Sequence, residues 1–395
     1  MYVLGGGQPL LNKGFTLIEL LAVIIILAII AVIAVPIVLN IIKDTKEKSV
    51  KISAQNYLKA VELAITNENI NSEFNSSECI IQENGNLLCT GYENEIFIKV
   101  DGEKPTKGKI KLNEGKVLEN TSLVYDEYGI SMNENGELQQ FSKAESFASD
   151  SWDTIVKNVR AGNIDKYNLG DTKEVKLEGF ENTSEEEGTY TLRIANTSTP
   201  KECATEGFSQ TACGFVVEFV DIISEHNMNP ADEYKGVQYS NGWNVDGYPS
   251  SSMYKFLNDT TDDTITSIYE SLPEDLKYVI IDTKVVSGHG KTAGETNFTS
   301  TDKLYILAPK EVYGIKNDYD TLDETRQLDY YNKKEVTTSN CPECVKKYNG
   351  SAIFWWLRSP ISYTNFQFFG IMATGNFSHG NAKSAEGIVP SFRIG

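Results

Sequence analysis

The stretch LNKGFTLIELLAVIIILAIIAVIAVP (11–36) constrains this chain more than any other. From Phe15 to Val35 it carries a single charge, Glu19. As a helix that run reaches about 31 Å, one hydrocarbon core, so length alone predicts a membrane-spanning helix. A cleaved secretory signal would have an apolar region of only about 7–15 residues and a small-residue exit. The nearest exit here, Val32-Ile33-Ala34, is followed closely by Pro36 and is poor. Lys13 precedes the run and Lys43 follows it, which places residues 1–13 inside the cell and the rest outside. Glu19 is costly in this setting: a lone carboxylate at the centre of a membrane helix costs about 2.5–3.5 kcal/mol. Either it reaches the headgroups from its place near one end, or it has a partner.

Lys13-Gly14-Phe15-Thr16-Leu17-Ile18-Glu19 resembles the cleavage and methylation motif of type IV prepilins and pseudopilins. The resemblance implies that a membrane aspartyl peptidase cuts after Gly14, and that Phe15 becomes the N-methylated first residue. Glycine suits a narrow protease subsite because it has no Cβ. The resemblance also supplies a partner for Glu19, the charged amine of Phe15 on a neighbouring subunit. Removing one member of a buried pair strands the other at several kcal/mol, so such a pair can set the register of stacked helices. Pro36 matches the family's late proline, which loosens the helix by removing one hydrogen bond. The implied partners are other pilin subunits, prepilin peptidase and methylase, and the membrane. The implied location is a single-pass membrane anchor that becomes a surface filament, with the leader cytoplasmic. The alternatives are a pseudopilin of a secretion or DNA-uptake system, or a membrane-tethered adhesin or enzyme that forms no filament.

The 395 residues exceed one typical domain and carry a net charge of −19, which disfavours nucleic acid as a partner. The expected class is α+β: a long N-terminal helix, a small antiparallel sheet and a larger α+β domain. The divisions are a leader at 1–14, a pilin helix at 15–66, a small β-domain at 67–140, a linker at 141–151 and a display domain at 152–395. Val50, Ala54, Tyr57, Val61 and Ala64 make the apolar stripe of the helix's outer half. CIIQENGNLLC (79–89) is a hairpin. A three-residue loop, Glu83-Asn84-Gly85, pairs Gln82 with Asn86 and brings Cys79 opposite Cys89, close enough for a disulfide. Further strands are expected at Ile96–Val100, Lys109–Leu112, Lys116–Leu118 and Leu123–Tyr125.

Trp152, Ile155, Val156 and Val159 predict a helix capped by Asp150 or Ser151. Strands are expected at Thr189–Ala195, Gly214–Ile223, Leu276–Val286 and Leu304–Leu307, and helices at Ser251–Leu257 and Asp263–Leu272. TACGFVVEF (211–219), DKLYILAPKEVYG (302–314), WLRSP (356–360) and SFRI (391–394) resemble a domain of unknown function in Gram-positive surface proteins. More distantly, the late tryptophan-arginine pattern is similar to the sulfatase-modifying-factor and C-type-lectin-like fold. The resemblance implies binding to a surface ligand, as in adhesion, rather than enzymatic activity. Its candidate ligand residues are Trp356, Arg358 and Arg393, weighed against a core strand holding a paired arginine.

The six cysteines form three local pairs, Cys79/Cys89, Cys203/Cys213 and Cys341/Cys344, which outside the cytoplasm predicts disulfides. CPEC (341–344) has no second CxxC and no histidine near it to complete a zinc site. GHGKT (288–292) lacks the first glycine of a phosphate loop, since Val285 stands there. The acidic stretches 258–264 and 317–324 lack the spacing of a calcium loop. No metal, no cofactor and no catalytic residue is expected.

Overall fold

The computed structural model describes residues 17–71, 76–126, 128–178, 188–234, 237–238, 247–261, 266–291, 296–314 and 324–395. One helix, α1 (Leu17–Asn71), accounts for its first 55 residues and is about 82 Å long. It runs through position 36 without interruption and ends five residues beyond the expected position 66. Leu17, Ile24, Leu27, Ile30, Leu39 and Ile42 on its first half are all exposed. From Val50 onward one side is buried: Val50, Ala54, Tyr57, Leu58, Val61 and Ile65 enter the first hydrophobic core.

That core is closed by an antiparallel sheet. Its strands are β1 (Glu78–Ile81), β2 (Leu87–Cys89), β3 (Lys107–Asn113), β5 (Ser122–Val124), β6 (Gly129–Met132) and β7 (Leu138–Phe141), in the order β2-β1-β3-β5-β6-β7, with β4 (Lys116–Val117) on β3. The hairpin register is Cys79 to Cys89, Ile80 to Leu88 and Ile81 to Leu87. The loop closes because Gly85 takes φ 75°, a left-handed conformation that suits a residue without Cβ. Gln82 N–H then donates to Asn86 O at 2.8 Å. Tyr57 on α1 reaches the same turn, its hydroxyl donating to Gly85 O at 2.8 Å. Tyr57→Phe leaves that carbonyl unpaired and should lower stability by about 1 kcal/mol in urea unfolding; an unchanged midpoint would mean that water satisfies the carbonyl.

The strand expected at Ile96–Val100 is replaced by extended chain with a single bridge, Leu87 to Ile96. Its alternation reflects burial of Ile96 and Ile98 against the core, not a ladder. Successive residues of a strand face opposite sides of the sheet. Leu123, Ile130 and Leu138 accordingly face α1, while Val124 and Phe141 lie on the far side. There Phe141 and Val124 meet Ala161 of the second half, and the Phe141 ring covers Gly129 so closely that a Cβ would lie 2.2 Å from it.

The second core begins inside the polar stretch 139–151. Phe147 is fully buried against Trp152, Tyr167 and Phe215. Asp150 accepts the Tyr167 hydroxyl at 2.7 Å. The segment expected to link the halves is therefore packed against them. Helix α2 (Trp152–Arg160) follows, capped by Ser151, whose Oγ accepts Thr154 N–H at 3.2 Å. Two larger sheets follow, with three two-stranded ones beside them among the described residues. One orders Ile280–Ile281, Pro390–Ile394, β10 (Phe215–Phe219), β9 (Gly188–Asn196) and β8 (Thr172–Leu177). The other orders Ser224–His226, Glu386–Ile388, Trp355–Pro360, Gln367–Ile371 and Phe377–Asn381.

Two expectations fail here. Leu276–Val286 is not one strand but a short helix, Glu274–Val279, followed by Ile280–Ile281 and Thr283–Ser287. Pro273 precedes that helix and Glu274 and Asp275 fill its first turn, a start signal that the apolar run obscures. The helix expected at Asp263–Leu272 begins outside the described residues, and its described part, 266–272, is a turn. The helix expected at Ser251–Leu257 is present as Ser252–Asn258.

Candidate functional site

Gly14 and Phe15 lie outside the described residues, as do the side chains of Glu19 and Pro36. What is described is the body of α1 beyond them, an apolar surface on which no described part of the chain packs over residues 20–30. Counted over the described residues, no helix is long and apolar enough to cross a membrane. The run of described side chains is interrupted at positions 19, 31, 33 and 36, so a membrane role rests on the sequence.

All three cysteine pairs are disulfides: Cys79–Cys89, Cys203–Cys213 and Cys341–Cys344. The first follows from the hairpin register, and closing so short a loop adds about 2–3 kcal/mol in the chain-entropy model. Non-reducing peptide mapping of protein recovered from the cell surface should find the Cys79–Cys89 link; free thiols at both positions would contradict it.

The three candidate ligand residues do not assemble into a surface site. Trp356 is fully buried and donates its indole N–H to His226 O at 3.0 Å. Arg358 is fully buried and forms a two-pronged pair with Glu311, both contacts at 2.6 Å. Its remaining donors reach Val286 O at 3.1 Å and Ile306 O at 3.0 Å. Glu311 also accepts from Thr211, from Thr325 at 2.9 Å and from Ala308 N–H at 2.8 Å. This network ties the strand Trp355–Pro360 to the helix Pro309–Tyr313, and it engages the Arg358 guanidinium inside the fold. Arg393 stands apart on the last strand, paired across the backbone with Val216 and Ile281. Its Nε is buried without a partner among the described residues, and burial lowers its pKa.

Asp302 was not legible in the sequence as anything but a loop acid. It is 1% exposed, and neither carboxylate oxygen has a hydrogen-bond partner among the described residues. Burial raises its pKa to about 7, against the pull of the Arg358 guanidinium. An ordinary unfolded aspartate titrates near pH 3.9. The folded protein therefore holds this proton more tightly than the unfolded chain does. The stability so contributed is fully present below about pH 4 and is lost as pH rises through about 7. Asp302→Asn should remove that dependence, so the variant outlasts the wild type at pH 8 and their melting curves converge near pH 4. Parallel pH profiles for the two proteins would refute it. Lys346 is a second buried titrating group, pushed down to about 7 by burial; its ammonium donates to Val220 O at 2.7 Å. Among the described residues no group of three histidines, cysteines or carboxylates is placed to hold a metal ion.

Residues 11–35 match the prokaryotic N-terminal methylation motif. Residues 221–395 match a domain of unknown function, DUF6273. No curated protein and no solved structure matches the chain. The first match supports a type IV pilin-like or pseudopilin protein, and implies processing by prepilin peptidase and assembly with other pilins. The second assigns no activity to the C-terminal region. The more distant likeness to the sulfatase-modifying-factor and C-type-lectin-like fold gains no support from either.

Proposed function

We propose that this protein is a minor type IV pilin-like subunit: cleaved after Gly14, held in the membrane by α1 and then drawn into a surface filament that displays residues 152–395. The observation that carries this reading is the methylation motif at residues 11–35, heading a helix whose apolar side chains over residues 20–30 no other described part of the chain covers. Exposed apolar surface on that scale needs a solvent or a partner, and lipid before assembly and neighbouring helices after it supply both. A minor role follows from bulk, because so large an appendage on every subunit would crowd a packed filament. The display half acts by binding rather than by catalysis. A pseudopilin of a secretion system would share the processing but would not require a surface ligand.

Glu19 is the point of test. If it pairs with the Phe15 amine of a neighbour, Glu19→Val should still insert in the membrane, because the helix becomes more apolar, while its incorporation into filaments falls at least tenfold. Cell fractionation followed by immunoblotting of sheared filaments separates the two effects. Normal incorporation of the valine variant would show that the pairing is not needed.

A further inference from the structure

The two halves meet along a cleft of about 460 Å³, lined from the first half by β5, β6 and β7 and from the second by α2 and Tyr278. The register gives it a built floor. Ser122 on β5 lies opposite Ser131 on β6, which lies opposite Gln139 on β7. These three side chains form a polar row across three strands, on the face turned away from α1 and beside the contact of Phe141 and Val124 with Ala161. Ser122 is fully buried, yet its hydroxyl has no hydrogen-bond partner among the described residues. Buried polar groups are nearly always paired, so an orphan in the wall of a cavity points to something that fills the cavity.

The lining indicates what kind of molecule that is. Two carboxylates, Glu134 and Asp153, are balanced by two cations, Lys157 and Arg160. The cations are engaged: Lys157 binds Asp153 at 2.7 Å, and Arg160 binds Asn120 Oδ1 at 3.0 Å and Gly395 O at 2.9 Å. A site for phosphate or another anion would leave positive charge free. What stays free is neutral and two-handed: the side chains of Ser131, Asn135 and Gln139 make no hydrogen bond within the described residues. At the rim Tyr278 is 74% exposed, a large aromatic ring open to solvent. Hydroxyl and amide groups that both donate and accept, beside an open aromatic face, match the hydroxyls and the apolar C–H face of a pyranose. The volume lies within the range of about 300–1,000 Å³ usual for small-ligand sites.

We propose that this cleft binds a neutral oligosaccharide, and that the site is composite, with neither half sufficient alone. This rests on the reading of the protein as a surface-displayed subunit, and it moves recognition from the interior Trp356–Arg358 region to the junction of the halves.

The test uses the full chain in lipid nanodiscs, titrated calorimetrically with cellotriose, maltotriose, mannotriose, chitotriose, lactose and, as an anionic probe, inorganic phosphate. At least one neutral sugar should bind, with a Kd on the order of 0.1 mM. Tyr278→Ala, at an exposed position that does not hold the fold, should weaken it at least tenfold. Ser122→Ala should weaken it severalfold, and Tyr363→Ala, an exposed ring outside the cleft, should not change it. Binding of phosphate but no sugar overturns the proposal, as does binding of nothing, or a Tyr278→Ala protein that binds like the wild type. The N-terminal mass of the same sample reports processing at Gly14 separately, so failure of the sugar site and failure of the pilin reading give different results.

Discussion

Glu311→Ala is expected to destabilise the second half of this protein by about 3–5 kcal/mol while leaving the first half largely unaffected. Arg358 and Glu311 are both fully buried and joined by two contacts of 2.6 Å. Removing the carboxylate strands a guanidinium in the interior, at about 3–5 kcal/mol, and also strips Thr325 and the Ala308 N–H of their acceptor. A domain of this kind is stable by only about 5–15 kcal/mol in total, so the loss takes a large share of it. The readout is selective because all four tryptophans, Trp152, Trp243, Trp355 and Trp356, lie beyond residue 151. Tryptophan fluorescence in urea should show an early transition for the second half, while the far-ultraviolet signal of α1 persists to higher denaturant. Glu311→Gln keeps the shape and some of the hydrogen bonds and should fall between alanine and wild type. A midpoint unchanged in the alanine variant would mean that Arg358 finds solvent or another acceptor.

Gly14→Val should abolish maturation altogether. On the proposed reading of the methylation motif at residues 11–35 the cut falls between Gly14 and Phe15, and a branched side chain at the residue before the bond fills the space that a glycine leaves for the peptidase. The uncut protein keeps its leader, so Phe15 has no free amine to methylate or to offer to Glu19. Mass spectrometry should find the wild type beginning at Phe15 with one added methyl group, and the variant carrying the leader, held in the membrane and absent from sheared filaments. A wild-type chain beginning at Met1 on the cell surface, or cut near Ala34, would overturn the pilin-like reading.

These two expectations come from opposite kinds of information. The apolar run is read from its length, while the cut after Gly14 and the pairing of Glu19 are what the resemblance of the contiguous residues 13–19 implies. The hairpin Cys79–Cys89 was legible from local chemistry. Its three-residue loop and the left-handed Gly85 settle which cysteine faces which, with no help from the rest of the fold. Helix α2 was legible from its cap and its spacing, and so was the α+β class.

What lay beyond local chemistry needed the folded chain. The apolar letters of Leu276–Val286 suit a strand, but Pro273 and the packing of Leu276 and Val279 make the first part a helix. Ile96 and Ile98 alternate like a strand because the core takes alternate residues, although the backbone there forms one bridge and no ladder. Arg358 reads in the sequence more readily as a paired core arginine than as a ligand group, but its partner Glu311 lies 47 residues away and only the fold names it. Asp302 resembles any loop acid until burial raises its pKa. The cleft between the halves has no sequence signature at all, because Ser122, Ser131 and Gln139 become neighbours only when β5, β6 and β7 pair, and Tyr278 joins them only when the second half docks. The methylation motif could be read in the sequence because it sits in one continuous segment, residues 11–35. The burial of Arg358 and Asp302 and the lining of the cleft could not, because each depends on residues that only folding brings together.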